Sequence, residues 1–373
     1  MQKKNVNKKI KILFQGLSTN LGGIETYLYN LCRNIDRNKF EISFMVFDYG
    51  KKVCFEDELI NLGVKIYKIT PRTKNYFKFK KDLKNLYKNN EFDFIHFNLM
   101  DFSCFERITL ANKYSKAKII IHSHNAGFGK NISKKTRILH QIGKFKLRKI
   151  EYLKVACGEQ AGKWMFKDEA FEVFYNGIDI EKFTFNNQYR EEIRDELQID
   201  YNTILIGLVG KFEKQKNHEF LIKIFYEYIK YNDNCKLVLI GEGSLKQNII
   251  KQVEEFNISE NVIFLGKRED TYKIYSAMDF FLMPSLYEGL SIALVEAQVN
   301  GLKCYTSDSV DINSNISGNV EFLPLQKSAK YWAEYIFKNK IDRDINILKK
   351  IPEKFDSKKS YEKVFKFYQN NLK

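Results

Sequence analysis

The sequence predicts an α/β protein of two doubly wound domains, each a parallel sheet covered by helices. Three observations carry this reading. Short apolar runs alternate with longer amphipathic segments. The alternation runs twice, with a turn-rich seam between the two series. The length of 373 residues exceeds one ordinary domain.

The first series of strand candidates is KILFQGL (11–17), EISFMVF (41–47), VKIYKI (64–69), DFIHF (93–97), KIIIHS (118–123), KVACG (154–158) and EVFYNG (172–177). The second is ILIGLVG (204–210), KLVLIG (236–241), VIFLG (262–266), DFFLMPS (279–285) and KCYTS (303–307). Such near-continuous apolar strands suit sheets buried on both faces. Segments 24–34, 81–89, 218–231 and 244–256 read as helices between them. The seam YNGIDIEKFTFNNQ (175–188) loses periodicity, which places a first domain at 1–176 and a second at 177–355. The last segment, 356–373, has Tyr361, Val364, Phe365 and Tyr368 on one helical face, a candidate to cross back and pack on the first domain. Two such domains are expected to face a cleft, with ligands beyond the carboxyl ends of the strands.

Composition narrows the function. A hydrophobic fraction of 44% excludes a disordered chain. The net charge of +16 points to an anionic partner: nucleic acid, a phosphorylated ligand or an acidic membrane surface. The six cysteines form no C-x-x-C pair and read as free thiols in a reducing compartment. No run of 18 apolar residues is present, and the apolar stretch after the basic start is too short for a secretory segment. The expectation is a cytoplasmic protein.

The stretch SLYEGLSIALVEAQVNG (285–301) sets two carboxylates among apolar and small residues. It reads as strand, turn, then a helix ending near Gly301. Gly289 allows close backbone approach to a ligand. The free N–H groups at the helix start favour phosphate. Glu288 precedes the helix and Glu296 lies in it; eight helical residues would separate them by roughly 12 Å, about the span of a nucleotide sugar. The plain alternative makes Glu288 a solvated loop residue and Glu296 a structural ion-pair partner. GLVGKFEKQKNH places Lys211 and Lys216 just after a strand, where they could meet a diphosphate; a lysine-rich loop in a lysine-rich chain is the alternative. Gly22 and Gly23 sit where the chain enters the first helix. His122 and His124 end a strand in IIIHSHNAG without a third ligand nearby in sequence, which argues against a metal. Asp342, Arg343 and Asp344 spell D-x-D, but in a charged stretch that follows no strand, so they read as surface.

EGLSIALVE, together with GLVGKFEKQKNHEFLIKIF, LVLIGEGSLKQNI, VIFLGKREDTYKIYSAMDFFLMPS, YNGIDIEKF, GGIETYLYNL and IIIHSHNAG, resembles retaining glycosyltransferase family 4, of GT-B architecture, in its bacterial surface-polysaccharide type. The resemblance spans nearly the whole chain. It implies that Glu288 contacts donor-sugar hydroxyls and Glu296 the ribose. It implies that the turn amides of Gly289, Leu290 and Ser291 meet phosphates or sugar, and that Lys211 and Lys216 face the diphosphate. Lys211 stands where the family more often has arginine, and a lysine cannot form the same bidentate fork. Gly22 and Gly23, with Glu25 in the same pattern, imply a loop near the donor phosphates. His124, preferred over His122 because it lies further past the strand, implies a group near the reacting centre. The implied activity is hexosyl or N-acetylhexosaminyl transfer from a nucleotide sugar, with uracil the expected base, and no metal or other cofactor.

KNYFKFKKDLKNLYK (74–88) and KKTRILHQIGKFKLRKIEYLK (134–154) interleave lysines with aromatic and aliphatic residues. This pattern suits an anionic bilayer surface. A solvated lysine-rich face is the plain alternative. The acceptor that the resemblance implies is polyprenyl-linked or a polysaccharide, expected at the inner face of the plasma membrane in capsule or exopolysaccharide synthesis. Alternatives are a protein acceptor such as an adhesin, a catalytically silent scaffold, or a nucleic-acid binder; no nucleic-acid recognition motif supports the last.

Overall fold

The structure, a computed structural model, describes residues 8–20, 22–128, 132–339 and 343–372. The chain forms two compact units, Met1–Asn176 with Lys358–Lys373, and Gly177–Ser357.

In the first unit the elements are β1 (Ile10–Gln15), α1 (Gly23–Asn34), β2 (Phe40–Phe47), α2 (Glu56–Asn61), β3 (Lys65–Ile69), α3 (Tyr76–Asn89), β4 (Phe94–Leu99), α4 (Phe105–Tyr114), β5 (Lys118–Ser123), α5 (Lys134–Leu147), β6 (Leu153–Ala156), α6 (Glu159–Phe166) and β7 (Glu172–Val173). The strands pair in parallel in the order β3-β2-β1-β4-β5-β6-β7. Side chains alternate across this sheet. Ile12, Phe14, Ile42 and Phe44 enter the core on one face; Leu13, Met45, Ile95 and Phe97 enter the core on the other. Every residue of β4 is buried, as expected of a central strand covered on both sides.

The second unit contains α7 (Ile180–Phe183), α8 (Asn187–Glu196), β8 (Ile204–Val209), α9 (His218–Ile229), β9 (Cys235–Ile240), α10 (Lys246–Glu255), β10 (Val262–Gly266), α11 (Thr271–Ala277), β11 (Phe280–Met283), α12 (Ile292–Val299), β12 (Lys303–Ser307), β13 (Val320–Leu323) and α13 (Ala329–Lys338). Its strand order is β10-β9-β8-β11-β12-β13, again parallel. β13 has no counterpart in the sequence reading: VEFL is short, carries Glu321, and follows a loop with no periodicity.

The last helix, α14 (Ser357–Asn370), belongs to the first unit almost entirely. Tyr361, Val364 and Tyr368 are buried in the core that contains Phe14 and Phe44. Phe365 lies 5.5 Å from Phe40, ring centre to ring centre.

Both sheets have a switch point, where the chain turns from adding strands on one side to adding them on the other. It lies between β1 and β4 in the first unit and between β8 and β11 in the second. The carboxyl ends of those strands are where open α/β sheets take ligands.

Candidate active site

Lys211 and Lys216 follow β8, and Glu288 follows β11, so the two segments leave adjacent strands at the switch point of the second unit. They are stitched together. Leu286 N donates to Gln215 O at 2.8 Å, Asn217 Nδ2 to Pro284 O at 3.0 Å, and Gln215 Nε2 to Tyr287 O at 3.2 Å. Asn217 takes the left-handed conformation that ends the 214–216 turn and starts α9, which asparagine tolerates well. These bonds bring Lys216 Nζ to 2.6 Å from Glu288 Oε1. Both side chains are largely buried, at 16% and 11% exposure, so this is no surface ion pair. Lys216 also reaches Met283 Sδ, and its stem runs over Gly210, where a Cβ would stand 3.2 Å from Cε. Lys211 is exposed.

Glu288 is not helical. It bridges Val310 in parallel, and its carbonyl accepts from Asp311 N at 3.1 Å. The separation drawn from a continuous helix therefore does not apply: α12 starts only at Ile292, with Ser291 as its N-cap residue. Gly289 and Leu290 form the turn before it, and Ser314 Oγ donates to Gly289 O at 3.0 Å.

Glu296 lies in the second turn of α12. Its Oε2 accepts from the Tyr275 hydroxyl at 2.9 Å, and that hydroxyl also lies 3.2 Å from Ala293 O. Burial against apolar neighbours pushes the carboxyl up to about 7, opposed by the Tyr275 hydrogen bond and the Lys182 charge. Tyr275 is fully buried, and burial next to that carboxylate holds its phenol proton firmly.

A second layer fixes this pair. Arg343 lies against the carboxyl end of α11, donating to Ser276 O at 3.2 Å and to Met278 O, and also to Asn300, the residue that ends α12. Asn300 Nδ2 donates to Phe183 O at 2.8 Å. Arg190 and Arg194 reach other carbonyls of the same helix end, and both pair with Asp279. Cations at a helix carboxyl terminus meet unsatisfied carbonyls and the negative end of its dipole. This corrects the surface reading of D-x-D for Arg343 alone, whose guanidinium is enclosed by these carbonyls; Asp344 fits that reading, in an exposed pair with Lys350 at 2.7 Å, and Asp342 lies outside the described residues. Tyr275 and Asn300 were missed in sequence because each resembles an ordinary helix residue, and Arg343 was read only as part of a charged stretch.

Gly22, Gly23 and His124 belong to the first unit. Gly22 is the N-cap residue of α1, and a Cβ there would sit 2.9 Å from Glu25 Oε2. Glu25 is buried and accepts from Ser18 Oγ at 2.7 Å, which ties the loop to the helix. His124 lies just past β5 and is partly exposed. Asn98 donates its amide N–H to Gln15 O at 2.8 Å, which leaves its oxygen facing His124 Nε2 at 2.8 Å. His124 therefore carries its proton on Nε2 and presents Nδ1 as an acceptor. Burial pulls it down to about 3, so it is neutral at physiological pH. His122 is fully buried in the core, with Nδ1 3.2 Å from His96 Nε2, while His96 Nδ1 lies 2.6 Å from the Tyr368 hydroxyl. Among the described residues, no group of three or more histidine, cysteine or acidic side chains is arranged to hold a metal ion.

Two family profiles match this chain: Glycosyltransferase Family 4 over residues 21–182 and Glycosyl transferases group 1 over residues 189–350. A Bacillus subtilis (strain 168) protein named as a glycosyltransferase, EpsF, is 31% identical over 339 residues, covering 88% of this chain and 87% of that protein. The chain belongs to glycosyltransferase family 4. An Escherichia coli family relative, UDP-Gal:alpha-D-GlcNAc-diphosphoundecaprenol alpha-1,3-galactosyltransferase, is 25% identical over 334 residues, covering 85% of this chain and 82% of that one. Anabaena HepE, solved in complex with UDP and glucose, superposes with a TM-score of 0.75 at 17% identity over 97% of this chain and all of that one. That likeness is one of fold: two parallel-sheet α/β units of the GT-B type.

Proposed function

We propose that this family 4 glycosyltransferase moves a hexose or N-acetylhexosamine from a UDP-sugar to a lipid-linked acceptor in surface-polysaccharide synthesis, with retention at the anomeric carbon. The observation that carries the reading is the largely buried Lys216–Glu288 pair beyond the switch-point strands β8 and β11. In the donor complex, Lys216 and Lys211 face the diphosphate and offset the charge that grows as it leaves. Glu288 accepts hydrogen bonds from sugar hydroxyls, and Glu296, held by Tyr275, accepts from the ribose. The amides of Gly289, Leu290 and Ser291, at the start of α12, meet phosphate or sugar oxygens. No carboxylate is assigned as a nucleophile. The acceptor attacks from the face the diphosphate leaves, and a diphosphate oxygen takes the acceptor proton. For Gly22, Gly23 and His124, which belong to the first unit, the donor-side role is the one the family resemblance implies. No metal is required in this scheme, because lysines and a helix start supply the positive charge.

The uracil base is supported by the UDP bound in HepE and by the UDP-Gal donor in the name of the Escherichia coli relative. The lipid-linked acceptor is supported by the diphosphoundecaprenol in that name. An anionic bilayer is the proposed surface on which they meet. Ile138, Ile142 and Phe145 are exposed at helical spacing on α5, among Lys134, Lys135, Arg137 and Lys146, and Phe77 is exposed on α3. No helix among the described residues is long and apolar enough to cross a membrane.

The test is a donor-hydrolysis and transfer assay with UDP-glucose, UDP-galactose and their N-acetylamino counterparts. Glu288→Ala and Lys216→Ala are each expected to lower turnover by at least 100-fold. Near wild-type turnover in both variants contradicts the assignment.

A further inference from the structure

At the carboxyl ends of β2, β3 and β4 in the first unit lies a cavity of about 230 Å3, which none of the roles assigned above uses. Phe47 and Phe79 form its apolar walls, and Arg72 and Arg107 bring two guanidinium groups to it. The charges are unequally matched. Arg72 pairs with Glu106 at 3.2 Å, and Glu106 also accepts from the Tyr76 hydroxyl at 2.8 Å. Arg107 is partly buried, with its guanidinium 5.3 Å from the Phe47 ring centre. With the Gln15 amide turned so that its oxygen faces Arg107, Nη1 lies 2.8 Å from it. Arg107 has no ion pair among the described residues. Most of its five donors remain for a ligand, and a half-buried cation without a counter-charge is costly unless something fills that role.

Position adds a second, independent reason. Gln15 ends β1, and Arg107 follows β4, so Arg107 stands at the switch point of this sheet. Leu139 of α5 also lines the cavity, and one residue before and three after it are exposed Ile138 and Ile142. The cavity thus opens beside the apolar stripe assigned above to the bilayer. A group held here would sit near headgroup depth, where the phosphates of a membrane-bound lipid are found.

We propose that this cavity binds the phosphoryl part of the acceptor, a prenyl-type diphosphate ester. It rests on the lipid-linked acceptor proposed above. Arg107 forks two N–H groups onto phosphoryl oxygens, which a planar guanidinium does and an ammonium cannot. Glu106 also lines the cavity and keeps Arg72 as its counter-charge, so Arg107 is the cation left for the ligand, and Ser103 is a further lining donor. The diphosphate is bound and unchanged; no bond to it forms or breaks at this place.

The test is calorimetric titration of the full chain, already saturated with UDP, with farnesyl diphosphate, inorganic pyrophosphate and farnesol. Saturating UDP removes competition at the lysines of the second unit. Farnesyl diphosphate is expected to bind the wild type, at least tenfold more weakly to Arg107→Gln, and with intermediate affinity to Arg107→Lys. Pyrophosphate binding that Arg107→Gln also weakens identifies the phosphoryl groups as the recognised part; farnesol should not bind this place. UDP affinity and melting temperature of Arg107→Gln should match the wild type, which separates a lost ligand from a lost fold. Farnesyl diphosphate binding that Arg107→Gln leaves unchanged, farnesol binding as tight as that of the diphosphate, or no binding by the wild type each overturns the proposal. Those results leave the donor site standing, which the Lys216 and Glu288 variants test separately.

Discussion

Glu296 combines the ribose contact proposed for it with a cost to stability. Its carboxyl is raised to about 7, above the ordinary value of 4.5, chiefly by burial. Between those two values the folded chain holds a proton that the unfolded chain has lost, so this residue's contribution makes the protein less stable as pH rises through that window. At about 1.4 kcal/mol per pKa unit, the ionised carboxylate costs roughly 3 kcal/mol at pH 8. Glu296→Gln should therefore raise the melting temperature at pH 8 by several degrees and weaken UDP binding, as differential scanning fluorimetry and calorimetry would show. In the wild type, the proposed ribose contact predicts that donor KM rises as pH falls below about 7, because the acid form would accept fewer hydrogen bonds. Tyr275→Phe removes one hydrogen bond to this charged group, worth about 1.5–3 kcal/mol. The expected outcome is a donor KM about tenfold higher, little change in kcat, and a low-pH limb displaced to higher pH. An unchanged KM with a lower kcat would assign Tyr275 a different role.

At the scale of elements, the loop after β8, which carries the lysines, depends on close backbone approach of the loop after β9. Gly241 has φ +144°, and a Cβ there would come within 2.1 Å of Gly210 O, next to Lys211. Gly241→Ala is expected to destabilise the second unit by more than about 2 kcal/mol and to weaken UDP binding, both measurable by denaturant titration with and without UDP. Such elements also show what could be read beforehand. β1, β2, β5 and β8 through β12 lie within a few residues of the apolar runs, because strands buried on both faces carry uninterrupted hydrophobicity. α3 starts at Tyr76, earlier than the periodicity of 81–89 suggests, because Asn75 caps it and accepts from Lys78 N. β13 was hidden because its place is set by pairing with β12 rather than by its own four residues. Glu288, Lys216 and Glu296 were recognisable as a motif. The Lys216–Glu288 contact was not, because it is made by hydrogen bonds between two loops far apart in sequence. Tyr275 and Arg343 act through tertiary contacts that leave no local pattern.

At the scale of the whole molecule, the net charge of +16 and the exposed residues of α5 make one joint prediction. The protein should sediment with vesicles containing phosphatidylglycerol at low salt and be released as ionic strength shortens the screening length. Phe145→Ser with Ile138→Ser should weaken that binding without altering UDP affinity, since these side chains lie in the first unit and the donor lysines in the second. A protein that stays in the supernatant at every salt concentration contradicts the bilayer assignment. The central claim concerns the second unit: an activated sugar nucleotide held by lysines at one end and Glu296 at the other. Titration of UDP into the wild type, Lys216→Ala and Glu296→Gln tests it most directly. The account predicts saturable binding by the wild type and at least tenfold weaker binding by each variant; equal affinity in all three proteins, or none in the wild type, would contradict it.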